Sequence, residues 1–379
     1  MKKSDEIRAE MLHATNPLFN KRKLKLGTFG SNLSGAQTVS SMEGVLKVDW
    51  PTASTVGAMA DAMEFEAIVP VGRWRGFGGD TDFNGDSFES YTFAAGMAAQ
   101  TKYPAVFATS HVSTIHPTMA AKQAATIDHI SGGRFSLNVI TGWYKAEFDA
   151  FGLAMPNHDA RYDGAAEWIE IMRLLWQSEE PVTYEGKYYQ VRNALLRPQP
   201  IQKPCPPVMC AGQSKKGRQF SAKYSDITFM VPENRSDPAA LRGEIQQFRK
   251  SIREQSGRDI KLWSYTYIIQ ADTEEQAKKI HHHCVHEKGD WAGLSNVFEA
   301  MGLNNLSMPP EVKVKLKEDF IAGFGGVPLI GTKEQIVDGL KLFVDAGIDG
   351  LLLTWPSYVE GMRRFQKDTY PLLVQAGLR

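Results

Sequence analysis

A short polar segment, Gly212–Ser214, has the residue types of an anion site. It follows an apolar, strand-like stretch and precedes a predicted helix over Lys216–Tyr224. A helix N-terminus offers free backbone N–H groups, which can bind a phosphate together with the hydroxyl of Ser214. Serine is also a preferred N-cap residue, so an ordinary helix cap is the simpler interpretation of this segment alone.

Arg161 and Tyr162 form a second candidate anion site. They stand immediately before a predicted helix over Asp163–Gln177. A guanidinium binds phosphate or carboxylate through paired hydrogen bonds, and the tyrosine adds a hydroxyl. An ion pair between Arg161 and Asp159 or Asp163 explains the arginine equally well.

Thr109 and Asn138 are small polar residues within apolar, strand-like segments. Such residues require hydrogen-bond partners or a ligand when buried, so they indicate either an internal hydrogen-bonded layer or a binding site. His111 shares the face of Thr109 if the segment is a strand. It is either a substrate contact, with a pKa suited to proton transfer near neutral pH, or a hydrogen-bonded core histidine.

The histidine-rich run at residues 281–286 predicts no metal site. Consecutive helical residues point in different directions, and only His282 and His286 have the i,i+4 spacing that two ligands would need. A solvated helix face is the better interpretation, and the three cysteines do not have a zinc-binding spacing.

These residues must be positioned by the strands and helices around them, and eight strand-like segments alternate with helical ones. The strand-like segments are Leu24–Gly30, Ala67–Gly72, Ala105–His111, Phe135–Thr141, Val208–Ala211, Asp226–Val231, Ile260–Gln270 and Gly350–Thr354. Eight βα units predict a closed (β/α)8 TIM barrel of the α/β class, with a doubly wound open sheet as the alternative. No glycine fingerprint of a dinucleotide-binding unit follows the first strand.

In a barrel, functional residues lie at the C-terminal ends of the strands. This rule selects four groups of residues, which are Thr109–His111, Asn138 with Thr141–Trp143, Ala211–Ser214, and Thr354 with Trp355. The chain is expected to form one domain over residues 1–379. We expect an inserted hairpin near 180–204 and an irregular insertion near 290–327, which is either a lid or an oligomer contact.

Composition excludes several other classes. The 379 residues carry 43 basic and 43 acidic side chains, so no net charge attracts nucleic acid or an acidic membrane. Met1–Glu6 has no apolar signal region, and no stretch reaches the roughly 20 apolar residues of a membrane span. A cytoplasmic location is expected.

Taken together, these residues resemble the bacterial luciferase-like, or group C, flavin-dependent monooxygenases. The motifs that carry the resemblance are Arg75–Gly79 (RGFGG), Ala124–Phe135 (AATIDHISGGRF), Asn138–Trp143 (NVITGW) with Glu147, Arg161-Tyr162, and Ala211–Ser214 (AGQS). Within the family, the chain is most similar to the pyrimidine oxygenases of uracil degradation. It is more distantly similar to dimethyl sulfone and alkanesulfonate monooxygenases.

The resemblance implies a TIM barrel that uses O2 and reduced FMN, with a separate NAD(P)H:flavin reductase and homo-oligomerisation. The flavin contacts of the family fall on Val71, Gly72, Arg73, Asn138, Glu147, Arg161, Tyr162 and Ser214. The last three would hold the phosphate. Thr109 and Asn138 would hold oxygen beside the middle-ring nitrogen, where a flavin peroxide is thought to form.

The segment Ser110–His116 departs from the pyrimidine oxygenases, so His111 points to a substrate unlike uracil. Asp80–Asp86 is expected to form part of the substrate rim. The substrate class is a small, electron-poor molecule such as a cyclic amide, sulfone or halogenated compound. The alternatives are a deazaflavin-dependent oxidoreductase, against which Thr109 and Asn138 argue, and a non-catalytic flavin-binding protein.

Overall fold

A computed structural model describes residues 16–233, 237–305 and 308–379. Met1–Glu6, the basis for predicting no secretory signal, lies outside the described residues. The strands are β1 Lys25–Phe29, β2 Ala67–Val69, β3 Ala105–His111, β4 Phe135–Ile140, β5 Val182–Glu185, β6 Gln190–Ala194, β7 Val208–Cys210, β8 Ile227–Phe229, β9 Lys261–Gln270, β10 Val327–Gly331 and β11 Gly350–Thr354.

Helices alternate with most of these strands. The α-helices are α1 Trp50–Ala62, α2 Ser90–Gln100, α3 Pro117–Ser131, α4 Lys145–Ala150, α5 His158–Gln177, α6 Lys215–Tyr224, α7 Pro238–Ser256, α8 Glu274–His282, α9 Trp291–Ala300, α10 Pro310–Gly323, α11 Lys333–Ala346, α12 Tyr358–Arg364 and α13 Tyr370–Gln375. Across the described ranges, none of the helices combines the length and apolar character needed to cross a bilayer.

Eight parallel strands close into a barrel, which confirms the predicted (β/α)8 fold. The hydrogen-bonded order is β1, β2, β3, β4, β7, β8, β9 and β11, and β11 pairs again with β1. Large side chains such as Phe107, Met209 and Trp263 fill the barrel interior, and Leu18 joins this cluster from the segment before β1. Because β3 and β4 pair in register, Thr109 lies directly opposite Asn138.

One strand of the sheet lies outside the predicted set. β10 pairs with β9 through Thr266–Gln270, on the edge that β8 occupies at Lys261–Trp263. Pro328 of β10 has no backbone N–H, which is tolerated because β10 is an edge strand. A five-residue strand that contains a proline resembles a loop in sequence, and β10 was therefore missed.

The segment at 290–327, expected to be an irregular insertion with a weak helical pattern, contains α9 and α10, which occupy most of its described part. Asp290 caps α9 by accepting a hydrogen bond from the Gly293 backbone N–H at 2.7 Å. In α10, Val312, Val314 and Leu316 alternate with charged residues, a period of two that does not indicate a helix. Residues 180–204 contain the expected hairpin, formed by the antiparallel strands β5 and β6.

The helix predicted to begin at Asp163 begins five residues earlier, at His158. Asn157 is its N-cap, and its side chain accepts a hydrogen bond from the Ala160 N–H at 2.9 Å. Arg161 and Tyr162 are therefore the fourth and fifth residues of α5 rather than preceding the helix.

The histidine run lies on α8 and the turn that follows it. His283 bridges Glu43 and Glu287 at the surface, and His286 lies 3.4 Å from Glu318. His281 is half-buried, and its ring stacks on that of Tyr267. Among the described residues, no group of three His, Cys, Asp or Glu side chains is arranged to hold a metal ion.

Candidate active site

A cavity of about 380 Å³ opens at the C-terminal ends of the barrel strands. This volume lies in the range of sites that bind small molecules. Seven of the ten predicted site residues line it: Val71, Gly72, Arg73, Thr109, His111, Asn138 and Glu147. Arg161, Tyr162 and Ser214 lie outside its lining, although Ala211 and Gln213, next to Ser214, are part of it.

Thr109 and Asn138 form a hydrogen-bonded pair at the wall of this cavity. The Thr109 hydroxyl donates to the Pro70 carbonyl at 2.5 Å and accepts from Asn138 Nδ2 at 3.1 Å. The Thr109 N–H is fixed by Ser90 Oγ at 2.6 Å. Asn138 Oδ1 is buried and has no hydrogen-bond partner among the described residues. The two side chains thus form an internal hydrogen-bonded layer, and the amide oxygen of Asn138 remains available to a ligand in the cavity.

The backbone beside this pair is also held tightly. Asn32 accepts from the Val71 N–H and donates to the Val71 carbonyl, both at 2.8 Å. A Cβ at Gly72 would lie 2.9 Å from the Thr109 carbonyl oxygen, so only glycine allows this approach. Asn32 is a positioning residue that the sequence analysis missed.

A buried ion pair joins two other predicted residues. Arg73 Nη1 lies 3.1 Å from Glu147 Oε1, which also accepts the Trp74 N–H at 2.9 Å. Burial lowers the pKa of Arg73, and the Glu147 carboxylate opposes this effect. The guanidinium also lies 4.6 Å from the centre of the Phe77 ring, a favourable cation–π arrangement.

His111 lines the cavity with both ring nitrogens unpartnered among the described residues. Its Nε2 lies 3.9 Å from Glu147 Oε2, and its ring packs edge-on against Phe148. Burial, with a smaller contribution from the nearby Arg73, lowers the pKa of His111 to about 4. The expectation of a pKa near neutrality is therefore wrong, because the sequence does not reveal the burial of the ring. The imidazole is neutral at pH 7, and it is not a hydrogen-bonded core histidine.

This low pKa predicts a stability change on acidification. The unfolded chain has the ordinary histidine pKa of 6.5, so between pH 6.5 and 4 it binds the proton more readily than the folded state. The free energy of unfolding should therefore decrease as the pH falls through this window. In urea titrations, we expect the loss between pH 7 and pH 5 to be about 2 kcal/mol larger for the wild type than for His111→Gln. The exposed His129→Gln should behave as the wild type, and equal losses in all three proteins would contradict the buried neutral imidazole.

Ser214 and Tyr162 meet at the N-terminus of α6. Ser214 caps this helix by accepting from the Gly217 N–H at 3.0 Å, which confirms the N-cap interpretation. Burial raises the pKa of Tyr162, while hydrogen bonds with Ser214 and Thr141 oppose the rise. A Cβ at Gly212 would lie 2.5 Å from the Tyr162 hydroxyl, so the glycine makes room for it. The two candidate anion sites of the sequence therefore form one polar corner beside the cavity.

Arg161 lies next to Tyr162 near the N-terminus of α5. It donates to the Pro156 carbonyl at 3.2 Å, and its Nε is buried with no partner among the described residues. Asp159 pairs with His158 and Asp163 pairs with Lys216. In the part of the chain that the structure describes, no ion pair joins Arg161 to either carboxylate, so the predicted alternative does not occur.

The strand-end rule fails for the last barrel strand, β11. Thr354 and Trp355 are buried but do not line the cavity, and Trp355 packs instead against Tyr358 and Phe365. Several other residues that line the cavity were not selected by the strand-end rule. We call Phe29, Phe229, Tyr265 and Phe324 the aromatic wall, and Gln37 also lines the cavity. Asn84, a further lining residue, belongs to the predicted rim segment, Asp80–Asp86.

Comparison with known proteins gives a consistent picture. The family model described as luciferase-like monooxygenase matches residues 28–350. Pyrimidine monooxygenase RutA of Cronobacter sakazakii is 31% identical over 320 residues, which are 83% of this chain and 92% of the relative. The motif-based resemblance is thereby confirmed.

Two solved structures show the same fold at low identity. The long-chain alkane monooxygenase LadA aligns with a TM-score of 0.80 and 19% identity, over 94% of this chain and 92% of that chain. The riboflavin lyase RcaE, solved with modified FMN and riboflavin, gives a TM-score of 0.81 at 19% identity and the same coverage of 94% and 92%.

Proposed function

The chain belongs to the luciferase-like monooxygenase family and is a flavin-dependent monooxygenase, and on this premise we propose that it oxygenates a small, electron-poor substrate with O2 and reduced FMN. A separate NAD(P)H:flavin reductase would supply the reduced FMN. The observation that carries the proposal is the cavity at the barrel mouth, where the Thr109–Asn138 pair keeps a buried, unpartnered amide oxygen. Homo-oligomerisation stays a prediction.

The residues around the cavity fit a flavin mononucleotide. The N-terminus of α6, with Ser214, Tyr162 and Arg161, would hold its phosphate, because free N–H groups and a guanidinium bind this group well. The fixed backbone of Val71–Arg73, with Asn138 and Glu147, would hold the ring system. Because Gly72 has no side chain and packs directly on the Thr109 carbonyl, the backbone here leaves room for a flat ligand.

When bound, the reduced flavin would supply the electrons that activate dioxygen. Asn138 uses one of its Nδ2 hydrogens for Thr109, so the second is available to stabilise negative charge that develops on oxygen in the cavity. Thr109 fixes that amide through its own bond to Pro70. His111 is neutral at pH 7, so its ring offers the substrate one N–H donor and one acceptor nitrogen for hydrogen bonds but no positive charge.

The decisive experiment is turnover with reduced FMN, a flavin reductase and ¹⁸O2 across cyclic amides, sulfones and halogenated compounds. We expect one labelled oxygen atom in the product. Oxidation of a substrate without oxygen, supported by a deazaflavin, would overturn the proposal in favour of the hydride-transfer alternative. Peroxide release alone, with no labelled product from any substrate class, would also contradict it.

The polar corner formed by Ser214, Tyr162 and Arg161 gives a separate prediction. Arg161→Ala combined with Ser214→Ala should weaken FMN binding by about a hundredfold, because two charge-assisted or helix-terminal interactions are lost. A fluorescence titration of FMN measures this, with Arg218→Ala as a control on α6, since the guanidinium of Arg218 donates a hydrogen bond to the Gln213 carbonyl and has no assigned role in the phosphate site. Unchanged affinity in the double variant would remove the phosphate assignment.

A further inference from the structure

The aromatic wall and Gln37 form the part of the cavity to which no cofactor role is assigned. The cavity-lining residues assigned to flavin and oxygen lie on the loop after β2, on β3, on β4 and on α4, and the phosphate is assigned to α5 and the start of α6. The aromatic wall faces the cavity from β1, β8, β9 and the end of α10. Phe29 packs edge-on against Tyr265, and Phe229 stacks on the same ring. Such a surface favours a flat, apolar body on the substrate.

Gln37 is the unusual polar residue on this side. It is 4% exposed and lines the cavity, yet its side-chain amide makes no hydrogen bond within the described ranges. Tyr265, by contrast, donates its hydroxyl hydrogen to the Phe324 carbonyl. Because the amide lines the cavity and has no partner in the described protein, its hydrogen bonds must come from a ligand or from water in the cavity.

The surroundings hold Gln37 in place. A Cβ at Gly30 would lie 2.5 Å from Gln37 Nε2, so the glycine allows the amide to pack closely on the backbone. Asn84 Nδ2 donates to the carbonyls of Ser34 and Ala36, at 2.9 and 3.1 Å, and fixes the loop that carries Gln37. A polar group fixed in this way costs little conformational entropy when a ligand binds, which favours selectivity.

The charges around the cavity argue against an anionic substrate. Among the described residues that line it, Arg73 and Glu147 are the only side chains with a full charge at neutral pH, and they neutralise each other at 3.1 Å. The aromatic wall contains no cation that could pair with a buried carboxylate or sulfonate. Burying such a group without a partner is strongly unfavourable.

We infer that Gln37 is a specificity-determining residue that selects a neutral, planar substrate with an amide-like edge and disfavours carboxylates and sulfonates. The primary amide of Gln37 offers one acceptor and a donor side by side, which pair with an adjacent donor and acceptor on the ligand. The inference rests on the proposed function, because it takes this cavity as the substrate site of the FMN-loaded enzyme.

Three probes of nearly equal shape test it: benzamide, benzoate and α-methylstyrene. Their dissociation constants are measured by calorimetry at pH 7 with FMN-loaded wild type, Gln37→Met and Gln246→Met. Gln246 is an exposed glutamine on α7 that does not line the cavity, so its variant is the matched control. We expect Gln37→Met to weaken benzamide about tenfold and to leave α-methylstyrene within about twofold. The wild type should bind benzoate at least about tenfold more weakly than benzamide.

Equal benzamide affinity in the wild type and Gln37→Met would overturn the inference. So would benzoate binding as tight as that of benzamide, or no benzamide binding by the FMN-loaded wild type. FMN affinity is measured first in each protein, which separates the two proposals. If the wild type fails to bind FMN, the proposed function and the inference both fall, whereas intact FMN binding with any of the other results removes only the role of Gln37.

Discussion

Thr109→Val is expected to lower substrate oxygenation by about a hundredfold or more, while FMN affinity stays close to that of the wild type. Valine has the shape of threonine but cannot accept the hydrogen bond from Asn138 or donate to Pro70. The Asn138 amide would lose its fixed orientation at the cavity wall, and with it the preorganised donor for negative charge on oxygen. Asn138→Ala should have an effect at least as large, because it removes the donor itself.

The barrel contains a matched control for this substitution. Thr354 also ends a barrel strand and is buried, but it does not line the cavity, and its hydroxyl has no partner among the described residues. Thr354→Val should therefore turn over as the wild type does. Product formation is measured with saturating reduced FMN and air-saturated buffer, and FMN affinity is measured in parallel. Normal turnover in Thr109→Val and Asn138→Ala would show that the oxygen site lies elsewhere.

The meeting of Thr109 and Asn138 was predictable because it follows from regular structure. Both residues lie on strands with a clear apolar pattern, and neighbouring parallel strands of a barrel bring their C-terminal ends to one mouth. The single polar corner was expected only from the family resemblance, which assigns Arg161, Tyr162 and Ser214 to one phosphate. The residues by themselves gave two separate candidate sites, because Tyr162 and Ser214 are distant in sequence and meet where α5 and α6 follow each other around the barrel.

Gln37 shows where sequence reasoning reached its limit. It lies in a loop after β1 with no hydrophobic period. Its position depends on the hydrogen bond from Asn84 to the neighbouring Ala36 carbonyl and on the close approach of Gly30, which only the fold creates. The strand-end rule points to loops after every barrel strand, so its use on β1 would have reached this segment. The lowered pKa of His111 could not be predicted from the sequence for a related reason. It arises from burial of the ring and from the charge of Arg73, which lies on the loop after a neighbouring strand.

Glu147→Gln should destabilise the folded protein by about 3–5 kcal/mol, because it leaves the buried guanidinium of Arg73 without a counter-charge. The side chains of Arg73 and Glu147 are 5% and 3% exposed, so water screens the pair very little. The amide oxygen of glutamine can still accept from the Trp74 N–H, and the substitution thus isolates the charge from the backbone hydrogen bond. Urea unfolding at pH 7 measures the change.

The same short helix supplies the control, because α4 also carries Asp149, which pairs with Lys145 at 2.7 Å on the exposed surface. Asp149→Asn should change the free energy of unfolding by less than about 0.5 kcal/mol, as exposed pairs of this spacing do. The double variant Arg73→Met/Glu147→Gln should recover much of the loss, since it removes the uncompensated charge as well. If Glu147→Gln proves no more destabilising than Asp149→Asn, the Arg73–Glu147 ion pair does not stabilise the fold. The absence of net charge in the cavity would then need another explanation.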